Sequence, residues 1–93
     1  MKSYMYAKWK DAPTGSPVEF YSELDAARWE QRKVEVFADG HMGYASAARS
    51  SNDGTRLAIV ALPPFDEIAR QIEFDAKPIS AQEFEAVWKR ATA

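Results

Sequence analysis

The chain has 93 residues, 46% of them hydrophobic and 13% aromatic, with a formal net charge of -2 at pH 7. That length holds one domain, near the lower limit for a self-sufficient core, and the apolar content argues against disorder. With no cysteine, disulfides and thiolate metal sites are excluded, and the slightly acidic balance argues against a general nucleic-acid binder.

The elements follow in chain order. Residues 3–10, SYMYAKWK, alternate and are aromatic-rich, which predicts a strand with Tyr4 and Tyr6 on one face and Met5, Ala7 and Trp9 on the other. The start has no apolar h-region, so no signal peptide is expected there. Residues 11–17, DAPTGSP, are turn chemistry. Residues 18–25 alternate again, with Val18, Phe20, Ser22 and Leu24 opposite Glu19, Tyr21, Glu23 and Asp25. The third strand is predicted over 28–38. It places Val34 and Val36 with Glu30 and Arg32 on one face, and Trp29, Gln31, Lys33, Glu35 and Phe37 on the other. Asp39-Gly40 predicts a type I′ hairpin turn, which needs positive φ at both central positions, and 41–47 then returns as the fourth strand.

Residues 49–55 read as a loop, and 56–62 as a short strand or an extended cover segment. Pro63-Pro64 ends extended chain and pre-sets a helix start, predicting a short helix over 64–71 with Phe65, Ile68, Ala69 and Ile72 at helical spacing. The last helix has the clearest local signals. Ser80 and Glu83 form a capping box, Ile79 and Phe84 are placed for a hydrophobic staple, and Phe84, Val87, Trp88 and Ala91 make one apolar stripe. Lys89 and Arg90 near its end favour the helix dipole. The expected fold is α+β, one domain over 1–93. It is an antiparallel meander of four to five strands with two C-terminal helices packed on one face.

No apolar run approaches the roughly 18 residues of a membrane span, so a cytoplasmic protein without membrane contact is expected. The only histidine, His41, has no second ligand nearby and reads as an exposed turn residue. Glu23, Asp25, Glu30 and Glu35 are carboxylates, but a glycosidase pair would need a sugar-enclosing cleft that a small half-open sheet does not offer. If the second and third strands pair, interaction of Glu30 and Arg32 with neighbours across strands is the better reading. Gly40, Gly43 and Gly54 do not form a phosphate loop, and Ser50, Ser51 and Thr55 have no visible base. Trp9, Trp29 and Tyr44 could stack bases, but the acidic context opposes it and sheet packing explains them. No catalytic, cofactor-binding or metal-ligating residue is singled out.

Charge is unevenly spread. Residues 1–10 carry three Lys and no acid, whereas 61–88 carry Asp66, Glu67, Glu73, Asp75, Glu83 and Glu85 against Arg70 and Lys77. If helices cover the Val34 face, Trp29 and Phe37 face solvent with Lys33 and Glu35 around them, the anatomy of a protein-binding surface.

The segments PVEFYSELD, WEQRKVEVFADG, GYA and ISAQEFEAVWKRA, in this order, resemble a small, typically stand-alone bacterial family of unknown function with the pattern YSELD…RKVEVFxDG…EFExxW. The resemblance runs from Tyr4 to Ala91. It implies a compact α+β domain of bacterial or phage origin and brings no catalytic residues. By analogy of type, such domains serve as immunity proteins or as phage inhibitors of bacterial defence such as anti-CRISPRs. The expected function is therefore protein binding, most concretely inhibition of a macromolecular partner such as a basic nuclease or a nucleic-acid-binding complex. The expected contact residues are Glu19, Glu23, Asp25, Trp29, Glu35 and Phe37, with no direct nucleic-acid contact and a monomer or homodimer as the working unit. A small enzyme or ligand-binding domain acting on a small molecule, and an oligomerisation module, are the alternatives.

Overall fold

A computed structural model describes residues 1–51 and 54–93. Residues 52 and 53, within the loop expected over 49–55, lie outside the described residues. Four strands, β1 (Ser3–Trp9), β2 (Pro17–Leu24), β3 (Glu30–Phe37) and β4 (Met42–Ser46), form the expected antiparallel meander. Two helices follow the meander, α1 (Phe65–Ala69) and α2 (Ala81–Ala91), with β5 (Phe74–Pro78) between them. β5 pairs antiparallel with β1, giving the sheet order β4-β3-β2-β1-β5. The chain is thus an α+β domain with a five-stranded sheet. Alternation alone does not reveal β5, because Phe-Asp-Ala-Lys-Pro is short, charged and ends in proline. These are the marks of an edge strand that resists further pairing.

Cross-strand partners share a face, so the register fixes the two sides of the sheet. Tyr4 opposes Glu23, and Glu23 opposes Arg32; Tyr6 opposes Tyr21, Tyr21 opposes Val34, and Val34 opposes Tyr44. α2 covers this side. Its fully buried Phe84 meets Tyr4 with ring centroids 5.5 Å apart, and Trp88 meets Tyr44 edge-on at 5.6 Å. The stripe read from the sequence is therefore the packed stripe. Ser80 caps the helix as expected, its hydroxyl accepting from Glu83 N at 3.0 Å while the Glu83 carboxylate accepts from Ser80 N at 3.1 Å.

The helices divide the two sides of the sheet between them rather than sharing one. Ile68 of α1 lines a cavity with Met5, Ala7 and Phe20, all on the side away from α2. The chain reaches that side through residues 55–63, a cover segment without strand pairing, bent at Ile59 and Val60, that we call the strap. Of the two sequence readings for 56–62, the cover segment is the one adopted. The strap is tied to the sheet by polar contacts. Arg28 Nε donates to Pro63 O at 2.8 Å, Leu62 N donates to Arg28 O at 2.9 Å, and Ala58 N donates to Glu30 Oε1 at 2.7 Å. A cluster of Trp9, Phe20 and Phe74, with centroids 6.0–6.4 Å apart, closes the same side near β5.

Two local expectations change. The register of β2 with β3 slips between Glu23 and Leu24, so Glu23 opposes Arg32 while Leu24 opposes Glu30. The slip takes Gln31 as its extra residue, and such a bulge reverses the alternation beyond it. Glu30 therefore lies with Ser22 and Lys33 under the strap, not with Arg32 and Val34. The Asp39-Gly40 hairpin is present but is not type I′. Gly40 has φ +93, whereas Asp39 is not among the described non-glycine residues with positive φ. Gly40 N donates to Phe37 O and Phe37 N to His41 O, which makes a three-residue loop with its left-handed position at Gly40.

Candidate functional site

The six residues singled out from the sequence fall into three places. Glu19 and Glu23 lie on the α2 side. Glu23 is 2% exposed, and its carboxylate takes two hydrogen bonds from Arg32, Nε and Nη2 each at 2.8 Å. Arg32 reaches on to Glu85 of α2 and lies over the Phe84 and Trp88 rings at 4.9 and 5.1 Å. These Arg32 hydrogen bonds hold the Glu23 carboxyl below the ordinary carboxylate range, against the opposing effect of burial. Glu19 accepts a 2.5 Å hydrogen bond from Tyr6 Oη.

Asp25 and Trp29 stand together at the β2–β3 turn. One Asp25 oxygen accepts from Ala27 N at 3.0 Å and Trp29 N at 2.9 Å, so the aspartate shapes the turn that presents the indole. Trp29 is 44% exposed. Glu35 and Phe37 lie on the strap side of β3. Glu35 accepts from Thr55 Oγ1 at 3.0 Å, and Lys33 Nζ donates to Arg56 O at 2.8 Å, so the strap covers both charged heads. Phe37 stacks on the His41 ring at 4.1 Å, at the far end of the sheet from Trp29. Lys33 and Glu35 therefore do not rim a patch joining Trp29 to Phe37. Asp39 Oδ1 lies 2.5 Å from His41 Nδ1, and hydrogen bonding from His41 keeps the Asp39 carboxyl below its ordinary value.

Three features escape a reading by alternation. The first is the apolar surface beside Trp29. Ile59 is 89% exposed and Val60 63%, and the Leu62–Arg28 hydrogen bond brings this stretch of the strap to the β2–β3 turn. An Ala-Ile-Val run looks buried by composition, and only its position on the strap turns it outward. The second is a cavity of about 270 Å³ beneath the strap, lined mainly by Met5, Ala7, Phe20, Leu62, Ile68 and Phe74, with Glu30 and Lys33 at its polar side. The Glu30 carboxylate there is fully engaged, by Ser22 Oγ at 2.9 Å, Ala58 N at 2.7 Å and Lys33 Nζ at 3.2 Å.

The third is a groove of about 270 Å³ on the α2 side, walled by Tyr6, Glu19, Tyr21, Lys77, Ile79 and Glu83. Tyr6 and Tyr21 are cross-strand partners with ring centroids 5.0 Å apart and planes tilted by 58°. Burial, and then the neighbouring Glu19, raises both phenol pKa values, so both rings stay neutral. Among the described residues no group of three or more His, Asp or Glu side chains could hold a metal ion. No described helix is long and apolar enough to cross a membrane.

No curated protein and no solved structure matches the chain. The sequence pattern of a small domain family does match, over residues 3–93, and the chain belongs to that family, described as Domain of unknown function (DUF6881).

Proposed function

We propose that the protein is a binding module that docks on a macromolecular partner through Trp29 and the outward side of the strap. One observation supports this reading above others. Trp29, Ile59 and Val60 expose large apolar surface at neighbouring points of the backbone, and that backbone is fixed by Arg28 and Asp25 rather than left free. A rigid, half-exposed tryptophan among apolar neighbours is the usual anchor of a protein interface. Asp25 in the turn, with Asp66 and Glu67 in the first turn of α1, adds acidic charge to a chain of net charge -2 and favours a basic partner. Inhibition by steric occlusion, as in an immunity protein or an inhibitor of bacterial defence, is the form of this function we favour, with a basic nuclease or nucleic-acid-binding complex as the target class.

The test compares two immobilised proteins, wild type and the variant Trp29→Ala/Ile59→Ser, as baits for host lysate, with captured proteins quantified by mass spectrometry. The expected result is a partner of basic isoelectric point held by the wild type and lost from the variant. Equal capture by both would remove this surface from the interface.

The open recess beneath the strap supports a second reading, uptake of a small apolar molecule, since a mostly apolar lining with a few polar groups at one side is the usual make-up of a small-ligand site. A thermal-shift screen with small aromatics separates the two readings. Stabilisation that is lost on Ala7→Leu, which fills the cavity, would favour the ligand-binding module.

A further inference from the structure

We propose that the groove formed by Tyr6, Tyr21, Glu19 and Glu83 is a recognition site for a methylated ammonium group. The two phenol rings lie 5.0 Å apart with planes tilted by 58°, and both residues line the groove. Aromatic faces carry negative electrostatic potential and attract organic cations, most strongly when the cation is poorly hydrated, as methylation makes it. Glu19 and Glu83 line the same groove and supply its negative charge, while Ile79 offers an apolar surface for methyl groups.

The groove already holds an ammonium of the chain itself. Lys77 Nζ lies 5.6 Å from the Tyr6 ring centroid, over its face. Lys77 is exposed on the edge strand β5, so its side chain can leave without uncovering the core. The Tyr6 face is thus suited to a cation, and Lys77 is a resident competitor for it. A purely structural role for these side chains does not predict that competition. It follows that removing the lysine charge strengthens binding, whereas removing a carboxylate weakens it.

This site lies on the α2 side of the sheet, away from Trp29 and the strap, so it stands or falls independently of the docking surface proposed above. The test titrates the full-length, isotope-labelled protein with choline, with trimethyllysine in a short peptide, and with 3,3-dimethylbutanol, the neutral isostere of choline. Amide shifts of Tyr6, Tyr21 and Glu83 are followed by NMR. Saturable shifts with the two cations and none with the isostere are expected. Tighter binding of the peptide identifies the source as a protein side chain, and equal binding identifies it as a free amine; either supports the site.

Lys77→Met is expected to bind about three- to tenfold more tightly. Glu83→Gln, which keeps a capping-box residue at its position, is expected to bind more weakly by a similar factor. Binding of the neutral isostere as well as of choline, or a Lys77→Met affinity equal to or below that of the wild type, would overturn the proposal, as would the absence of saturable shifts in both proteins.

Discussion

Arg28 and Gly40 occupy the same position in two copies of one turn. Each ends a three-residue hairpin loop, each donates its N–H back to the residue that opens the loop, and each has positive φ, +68 for Arg28 and +93 for Gly40. Glycine adopts that conformation without penalty; an arginine does not. Arg28 is held there by its contacts, with Nε on Pro63 O and its own carbonyl on Leu62 N. A Cβ placed on Gly40 meets nothing within 4 Å, so the cost of Gly40→Ala is conformational alone, about 1–2 kcal/mol. The same difference should separate Arg28→Ala from Arg28→Gly, with the glycine variant the more stable. Urea unfolding of the three variants checks it, and equal midpoints for the two Arg28 variants would show that the left-handed conformation there carries no cost.

The Glu23–Arg32 pair should dominate the electrostatic part of stability. Glu23 is almost fully buried, so losing Arg32 leaves its carboxylate without its two-pronged partner, at a cost of about 3–5 kcal/mol, whereas losing Glu23 leaves Arg32 paired with Glu85. Arg32→Ala is therefore expected to be severely destabilised, and Glu23→Ala less so. Glu85→Ala, at the exposed end of the same arginine, should lose about 1 kcal/mol or less. The pH dependence has a definite sign. The folded Glu23 carboxyl titrates below its ordinary value of 4.5, so its stabilisation is complete above that value and is lost as pH falls through the folded pKa. Glu23→Gln should flatten the acid limb of the stability curve. It should not remove the limb, because hydrogen bonds from Arg32 also depress the Glu85 carboxyl.

The capping box at Ser80 makes a smaller, local prediction. Ser80→Ala leaves Glu83 N without its side-chain acceptor and should destabilise the domain by about 1 kcal/mol. Ser80→Asp restores an acceptor and should return most of that loss. Because α2 supplies Phe84 and Val87 to the core, the effect should appear in global unfolding, read by tryptophan fluorescence, and not only in helix fraying.

Legibility in the sequence follows the range of the interaction involved. Alternation in 3–10 and 18–25 and the stripe in 81–91 are local periodicities, and each became the element it predicts. The failures share a different cause. The bulge at Gln31 is set by register against β2, and it moved Glu30 to the opposite face while leaving Arg32 where alternation placed it. β5 exists because β1 offers it an edge, not because Phe-Asp-Ala-Lys-Pro favours extended chain. The candidate site suffered most. Glu23 and Glu35 look like solvated carboxylates of alternating strands, but α2 covers one and the strap covers the other. Trp29, placed by the local Asp25 turn, kept the exposure expected of it, and Phe37 is half-buried. The aromatic walls of the cation groove were visible as residues, but their meeting with Glu83 depends on where α2 crosses the sheet.

The strap should behave as a separable unit, and Glu30 is the residue that tests it. Its carboxylate joins three things, Ser22 of β2, Lys33 of β3 and the Ala58 amide of the strap. Glu30→Ala removes the acceptor of the Ala58 N–H and leaves the shielded Lys33 ammonium without its nearest counter-charge, but it removes no ladder hydrogen bond. The Ala58 amide should then exchange with solvent roughly 100-fold faster, while amides of the β2–β3 ladder slow or accelerate only with global stability. Glu30→Gln keeps a carbonyl for Ala58 and should lie between the two. If ladder and strap amides accelerated by one common factor, the strap would be part of the cooperative core. In that case Ile59 and Val60 would be presented by the whole fold. If Ala58 alone accelerates, the polar anchors of the strap position the apolar surface beside Trp29, and their loss should weaken partner capture before it unfolds the sheet.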